Sequence, residues 1–283
     1  MVRTLHVVVV CHAELDFDGS WGLYERVQPQ MEGMLSSVAD STGRRPKITY
    51  CLTGDFLSER LDDAFRFVED GDEVGVHSHL PGAHRPRHRY DGRYAYRSGE
   101  RDTLNQDAVA GPLRQIAAAL GLPSPRTHVS GMFTFQRTTI RTLAEAGFTV
   151  DCSLLPGIRG THPASGEFVL ADNVRRAEPY PYRPDIADPW IPGTAPVVEL
   201  PVSANLGGGD MDGQLSCLRE RLARDGEVDV FQTYWHHFEF AQLGWTQGML
   251  ADAERLLTEC GRQENVRFST AAEAAAAMEA NGL

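Results

Sequence analysis

Ionisable side chains follow three apolar stretches of this 283-residue chain, at the point where each stretch ends. In chain order the groups are His12 with Glu14, His77 with His79, and His236 with His237 and Glu239. Side chains two residues apart on a β-strand point to the same face, so the members of the first two pairs each leave their strand together. One carboxylate and two neutral imidazoles with an open position suit a catalytic Zn²⁺ or a similar divalent ion. The spacing therefore predicts a metal site, provided that the three stretches end at one place.

The elements that must position these groups alternate between strand and helix patterns. Leu5–Cys11 is a continuous run rich in β-branched residues, which is typical of a strand buried on both faces of a parallel sheet. Helical spacing of apolar residues follows over Trp21–Val38 and again over Leu57–Val68. The carboxyl ends of parallel strands share one face of an α/β sheet or barrel, and that face carries the active site. We therefore expect an α/β fold that brings the three groups together.

Two stretches without regular periodicity are predicted to be long loops. Residues 81–101 are polar and rich in Arg and Tyr, and residues 155–196 are rich in Pro, Gly and aromatic residues. We interpret the second stretch as an insertion that lies over the strand ends. The chain as a whole, residues 1–283, is expected to form one domain with these two insertions.

The composition disfavours several classes of function. The formal net charge is −12 and no basic run occurs, which argues against a nucleic-acid or acidic-membrane surface. Lys47 is the only lysine and lies in a polar turn, so Schiff-base chemistry is not expected. The five cysteines are scattered without CxxC spacing and are expected to be reduced core residues. Because neither an export signal nor a membrane-length apolar window occurs, we expect a cytoplasmic protein that binds a small molecule.

A metal ion at the predicted site would lower the pKa of its bound water toward ~7 and polarise a carbonyl oxygen. A hydrolase also needs a base for that water and an acid for the leaving group, and imidazoles titrate in the required range. His12 and His236 are the candidates for these two roles. His12 also stays open as a fourth ligand or as a residue at the entry to a helix.

The order of motifs along the chain resembles that of a known family. An apolar strand ending in an acidic residue is followed by E-x-G-x-H-x-H, by TLAEAGFTVDCSL, by VVELPVS and by a strand ending in H-x-F-E. This order is similar to that of the polysaccharide deacetylase family, carbohydrate esterase family 4, which has a NodB-like domain. The resemblance implies a distorted (β/α) barrel of about seven parallel strands. It also implies one divalent metal ion and an enzyme that removes N- or O-acetyl groups from sugars.

By this resemblance Glu14 takes the position of the metal-binding acid and His77 that of the first metal-binding histidine. His236 takes the position of the late histidine that acts as the acid. His12 stands where the family has its base aspartate, so proton handling is expected to differ.

The second metal-binding histidine is the other departure from the family. Pro81 occupies its usual position, so His79 is the expected substitute and His84 the fallback. The third motif, Thr127–Gly131, carries no arginine that would orient the base. Zn²⁺ is the first expectation for mixed His and carboxylate ligands, with Ni²⁺, Co²⁺, Mn²⁺ and Fe²⁺ as alternatives.

These observations predict a metal-dependent hydrolase that removes an acyl group, in the first place N-acetyl, from a small amino sugar or a related metabolite. The predicted substrate-binding residues are Trp21, Tyr180, Trp190 and Glu239. Tyr180 and Trp190 could stack on a sugar ring or pack as core. Because the base aspartate is missing, a metal-dependent epimerase, isomerase or lyase is an alternative, and a non-catalytic member of the family is another.

Overall fold

A computed structural model of the chain describes residues 3–16, 19–78, 109–133, 135, 137–156, 178–206, 211–242 and 246–283. The strands in these ranges are β1 Thr4–Ala13, β2 Ile48–Leu52, β3 Glu73–Ser78, β4 Thr127–Ser130, β5 Val150–Asp151, β6 Val198–Glu199, β7 Val202–Asn205, β8 Val228–His236 and β9 Val266–Phe268. The α-helices are α1 Gly22–Thr42, α2 Gly54–Glu59, α3 Leu61–Glu69, α4 Ala110–Ala119, α5 Thr139–Glu145, α6 Met211–Ala223, α7 His237–Gln242, α8 Thr246–Arg262 and α9 Ala271–Ala280. Strands and helices alternate through most of this part of the chain, as the sequence pattern predicts.

The described strands form one sheet in which every pairing is parallel. Their order is β6-β5-β4-β3-β2-β1-β8-β7, and β9 lies beside β1. Only Leu200 and Pro201 join β6 to β7, which are the two ends of this order, so the sheet must curl until its ends approach each other. A hydrogen bond of 2.8 Å from the Val202 amide to the Leu154 carbonyl links the start of β7 to the segment after β5. The curled sheet confirms the predicted α/β barrel-like fold, with eight strands along its path where about seven were expected.

Buried apolar side chains cover both faces of β1. Val8 and Val10 point into the curled sheet, whereas Val7 and Val9 point outward and pack with side chains of α1 and α8. All four are fully buried, and burial of one such side chain contributes about 1.5–3 kcal/mol to folding. The strand alternation places His12 on the inner face with Val10.

The predicted helix over Leu57–Val68 is two helices, α2 and α3, because the helix breaks at Arg60. The first of them also begins earlier than expected, at Gly54. The Thr53 hydroxyl accepts a hydrogen bond from the Phe56 amide at 3.4 Å and starts α2. A threonine at this position supplies one of the amides at the start of a helix with an acceptor.

Two elements near the end of β8 have weak signals in the sequence. The strand β7 has only four residues, which alternate between buried and half-buried, so it carries a weak pattern. The helix α7 begins directly where β8 ends, with no loop between the two. Both elements lie near the predicted catalytic histidine at the end of β8.

The predicted loop at 81–101, and residues 157–177 of the predicted insertion, lie outside the described residues. The remainder of the insertion, 178–196, runs along the edge of the sheet, where Tyr182 forms an antiparallel bridge with Glu199. Its apolar side chains join a cluster on the outer face of the sheet.

The cysteines are free thiols, and four of the five are buried. Burial raises the pKa of the Cys11, Cys51 and Cys152 thiols, which keeps them protonated and unreactive, as expected for core residues. None of the helices in the described ranges is both long and apolar enough to cross a membrane.

Candidate active site

The carboxyl ends of β1, β3 and β8 bring together side chains from each of the three predicted groups. His12 pairs in register with His236, and only β2 separates β1 from β3. The centroid of the His12 ring lies 4.7 Å from that of His77 and 4.4 Å from that of His236. Glu14 lies between the other two rings, with Oε2 3.8 Å from His77 Nε2 and Oε1 3.4 Å from His236 Nε2. We call His12, Glu14, His77 and His236 the inner cluster.

The inner cluster is shielded from water. His77 is fully buried, His12 is 1% exposed and Glu14 is 4% exposed. A carboxylate removed from water is costly unless cations or hydrogen-bond donors surround it. A positive charge shared between Glu14 and the imidazoles, carried by a proton or a metal ion, therefore stabilises this arrangement.

The orientation of His77 is set by a backbone carbonyl on the neighbouring strand. Nδ1 of His77 lies 3.2 Å from the carbonyl oxygen of Val129 in β4. Because a carbonyl only accepts, Nδ1 carries the proton in this contact, and Nε2 is the ring nitrogen on the side of Glu14. Histidine ligands of metal ions commonly donate their second ring N–H to a carbonyl in this way.

Glu14 and His77 are the pair in the inner cluster whose donor chemistry suits a divalent metal ion. The 3.8 Å between His77 Nε2 and Glu14 Oε2 is too long for a hydrogen bond. Two tetrahedral ligands that each lie 2.0–2.1 Å from one Zn²⁺ are roughly 3.3 Å apart. Within the described ranges, no group of three His, Cys, Asp or Glu side chains has the geometry of a metal site. The predicted third ligand, His79, and the fallback, His84, lie outside those ranges.

His236 lies between two carboxylates. Its Nδ1 is 3.3 Å from Glu239 Oε2, and its Nε2 faces Glu14. The same Oε2 accepts a hydrogen bond of 2.9 Å from the His236 amide, and the Asn205 side chain donates to Oε1 at 3.4 Å. Carboxylates at both ring nitrogens stabilise a positive charge on the imidazole. The structure therefore brings Glu239, a predicted substrate-binding residue, to the candidate acid histidine.

Aromatic rings surround His12. Tyr234 stacks on it at a centroid distance of 5.4 Å, and Phe133 lies at 5.2 Å. Burial raises the pKa of the Tyr234 phenol, so its hydroxyl stays protonated at neutral pH. Phe133 has a φ of 52°, which is uncommon for a residue other than glycine and directs its backbone through a tight turn after β4. Neither Tyr234 nor Phe133 is among the predicted site residues. The MFTF stretch directly after Thr127–Gly131 is a sequence signal that could have indicated Phe133.

His237 points away from the inner cluster and has a structural role. Burial lowers its pKa to about 3, so the ring is neutral. A neutral Nε2–H donates to Gln28 Oε1 at 2.9 Å, and Gln28 in turn donates to the Tyr50 hydroxyl at 3.0 Å. These bonds hold the start of α7 against α1 and β2, and thereby fix the neighbouring His236.

Trp21 lies at the start of α1 on the outer side of the sheet. Its indole N–H donates to Glu59 Oε2 at 2.7 Å, and its ring packs edge-on against Tyr24 and Phe56. The ring is 7% exposed and belongs to the outer core formed with α1. These contacts place Trp21 in the core beside α2, and its role in substrate binding stays a prediction.

Tyr180 and Trp190 lie apart from the inner cluster. Tyr180 packs on the guanidinium of Arg224 with the ring centroid 3.2 Å from Cζ, and Arg224 bonds Asp229 near the start of β8. His236 lies seven positions after Asp229 along the strand, which corresponds to roughly 23 Å. Trp190 is buried in the outer-face cluster, with its ring 5.8 Å from that of Phe135. The contacts of Tyr180 with Arg224 and of Trp190 with Phe135 do not place either ring beside His236.

The comparisons with known proteins give matches only among solved structures, since neither a protein-family model nor a curated protein matches the sequence. A protein assigned as a polysaccharide deacetylase from Mycobacterium smegmatis matches with a TM-score of 0.61 at 14% identity, over 100% of this chain and 93% of that chain. A protein from Parabacteroides distasonis assigned as a glycoside hydrolase/deacetylase matches with a TM-score of 0.62 at 12% identity, over 99% of this chain and 72% of that chain. The chain has the polysaccharide deacetylase fold.

This deacetylase fold is the one that the order of motifs implies. A 4-alpha-glucanotransferase from Thermococcus litoralis also matches, with a TM-score of 0.58 at 13% identity over 98% of this chain and 40% of that chain. Identities this low concern the fold, and proteins that share a fold differ in their chemistry. The reaction must therefore be argued from the inner cluster.

Proposed function

We propose that the protein is a metal-dependent hydrolase that removes an acyl group, in the first place N-acetyl, from a small amino sugar or a related metabolite. The observation that carries this proposal is the position of Glu14, with one carboxylate oxygen toward His77 Nε2 and the other toward His236 Nε2. Glu14 thus faces both His77, its proposed partner in metal binding, and His236, the proposed acid. These groups lie at the carboxyl ends of the strands, where folds of this kind carry their active sites.

Glu14 and His77 would hold the ion, with His79 as the predicted third ligand and Zn²⁺ as the first candidate. When bound, such an ion supplies a nucleophilic water at neutral pH and polarises the acyl carbonyl. The Val129 carbonyl keeps Nδ1 of His77 protonated, so that Nε2 is the nitrogen directed to the ion.

His236 is proposed as the general acid that protonates the leaving amine. The Glu239 carboxylate holds the ring at Nδ1 and stabilises the imidazolium, while Nε2 faces the inner cluster. A third group that orients the acid–base histidine is the usual arrangement for this role. A positioned acid of this kind contributes a factor of roughly 10²–10⁴ to the rate.

His12 is proposed as the general base. Its ring lies within 4.7 Å of both His77 and His236, measured between centroids, so it borders the space where the reacting groups would meet. A neutral imidazole in this position can accept the proton of the attacking water. The rings of Phe133 and Tyr234 beside it offer apolar surface for a small acyl group.

A second candidate function is proton transfer on a sugar-like metabolite by a metal-dependent epimerase, isomerase or lyase. The observation that favours it is the pair His12 and His236, two imidazoles 4.4 Å apart with no aspartate at the expected base position. Two such groups can remove and return a proton without hydrolysis.

The test separates the two candidates by product. Purified protein loaded with Zn²⁺ would be incubated with a panel of N-acetylated amino sugars, and released acetate measured beside deuterium exchange from solvent into the substrate. Acetate release that depends on the metal supports the hydrolase. Deuterium uptake without acetate supports proton transfer, and neither signal from a metal-loaded protein contradicts both candidates.

A further inference from the structure

A second group of ionisable and hydroxyl side chains lies on the opposite face of the sheet from the inner cluster. Ser78 and His128 point to this outer face, since each is one residue away from an inward-facing residue of its strand. Asp151 and Glu199 follow on the next two strands. All four side chains are fully buried. We call Ser78, His128, Asp151 and Glu199 the outer chain.

Short hydrogen bonds join Ser78, His128 and Asp151, and Glu199 pairs in register with Asp151 on the neighbouring strand. Ser78 Oγ lies 2.8 Å from His128 Nε2, and His128 Nδ1 lies 2.7 Å from Asp151 Oδ1. The Ser153 hydroxyl also donates to Asp151 Oδ1 at 2.7 Å, and accepts from the Ser130 amide at 2.9 Å. The last bond extends the contact between β4 and the segment after β5 beyond the end of their backbone ladder.

Which atom donates in each of these hydrogen bonds follows from the protonation of the side chains. Burial and the neighbouring Asp151 raise the pKa of Glu199 well above its usual range, which favours a protonated carboxyl, and Glu199 Oε1 accepts from the Leu154 amide at 3.1 Å. Asp151 Oδ1 accepts from the Ser153 hydroxyl and from His128 Nδ1–H. His128 Nε2 is left to accept from the Ser78 hydroxyl, which gives one consistent network across β3 to β5.

The outer chain meets the inner cluster through the backbone of β4. Val129 lies between His128 and Ser130, and its carbonyl accepts the Nδ1–H of His77 on the inner face. Val129 also pairs in register with His77 across β3 and β4. A bond from either neighbour of Val129 therefore restrains the carbonyl that orients the His77 ring.

We propose that the outer chain positions His77, by holding β4 so that the Val129 carbonyl keeps the proton of His77 on Nδ1 and directs Nε2 toward Glu14. The role of His77 as a metal ligand rests on the proposed function. The tautomer of His77 does not, because it follows from the contact between Nδ1 and the Val129 carbonyl. Ser78, His128 and Asp151 are thus positioning residues.

The experiment removes the hydrogen bond between Ser78 and His128 by changing each partner in turn. Ser78→Ala removes the hydroxyl, and His128→Asn retains an amide that can still reach Asp151 but no longer reaches Ser78. Val76→Ala is the matched control, because Val76 is buried on the same face of β3 two residues earlier and takes no part in the chain. The readouts are ¹H–¹⁵N ring correlations in the metal-free protein, with the His77 signal assigned by its loss in His77→Gln, and the affinity for Zn²⁺ by calorimetry.

We expect the wild type and Val76→Ala to show His77 protonated on Nδ1 alone. Ser78→Ala and His128→Asn should show both tautomers and bind Zn²⁺ about 10–100-fold more weakly. A wild-type tautomer and unchanged Zn²⁺ affinity in both variants would overturn the inference, as would an equal change in Val76→Ala. If the wild type binds no Zn²⁺ or releases no acetate, the proposed function fails, and the tautomer data still decide the role of the outer chain.

Discussion

The inner cluster and the outer chain contain the same kinds of side chain on opposite faces of the same strands, yet their spacing differs. In the outer chain the bonds that join Ser78, His128 and Asp151 measure 2.7–2.8 Å. In the inner cluster the nitrogen-to-oxygen distances at Glu14 are 3.4 and 3.8 Å. Groups at hydrogen-bond distance satisfy one another, whereas the 3.8 Å between His77 Nε2 and Glu14 Oε2 leaves room for an ion at this pair. Spacing, more than residue type, therefore distinguishes a structural network from a candidate active site.

The largest expected effect of breaking the inner cluster comes from Glu14→Gln. The variant loses the carboxylate that faces both histidines, so we expect loss of bound metal and a fall in acetate release of more than about 10³-fold, because the ion supplies several kcal/mol to the transition state. Elemental analysis and the acetate assay measure both effects. Glu259→Gln on the surface of α8 is the control. Full metal content in Glu14→Gln would remove Glu14 from the ligand set.

His236→Asn should separate metal binding from proton transfer. The variant keeps a polar side chain but cannot act as a general acid, so we expect retained metal and a kcat lower by roughly 10²–10⁴-fold. Glu239→Gln, which leaves the ring in place, should lower kcat less and shift the acidic or basic limb of the pH–rate profile. An unchanged kcat in His236→Asn contradicts the assignment of this residue as the acid.

Asp151→Ala should break the outer chain and affect stability first. It removes the buried acceptor of the His128 and Ser153 donors, so we expect a loss of about 3–5 kcal/mol in the free energy of unfolding, measured by urea denaturation. Glu14→Gln should change the same quantity by less than about 1 kcal/mol, because glutamine keeps the shape of the side chain and removes a charge that is costly to bury. Equal losses in the two variants would show that the two groups do not differ in this way.

The smallest effect is a change in how stability depends on pH. The pKa of Glu199 is raised in the folded protein, so the folded state binds more protons than the unfolded state. The stability from this group is complete below its unfolded pKa near 4.5 and is lost as the pH rises toward the folded value. Glu199→Gln removes the titrating carboxyl and keeps a neutral side chain, so the slope of stability against pH above 4.5 should flatten by up to about 1.4 kcal/mol per pH unit. Urea denaturation between pH 5 and pH 8 measures this slope, and an identical slope in the variant speaks against a protonated Glu199.

The inner cluster could be predicted because its signal is local. Long apolar strands such as Leu5–Cys11 end in ionisable residues, and the rule that parallel strands share one active face needs no knowledge of register. The same rule does not predict the positions of Tyr180 and Trp190. Their rings lie in a segment without periodicity, and only packing against Arg224 in one case and Phe135 in the other decides where they point.

The outer chain had no such local signal. It takes one side chain from each of four strands, and two of these strands have only two residues. A single polar residue within VVEL or FTVDC carries no sign of its partner, because the partner depends on the order and the register of β3 to β6. Similarly, the split of the predicted helix over Leu57–Val68 and the immediate start of α7 depend on packing around Thr53 and Gln28.

The sequence by itself determined the alternation of strands and helices, the parallel sheet and the three groups at its active face. These features follow from hydrophobic periodicity and from which residues end each strand. Only the tertiary structure decided the distances at Glu14, the carboxylate partner of His236 and the carbonyl that orients His77. Each of these depends on contacts between residues far apart in the chain, and differences of less than 1 Å separate a hydrogen-bonded network from a site with room for an ion.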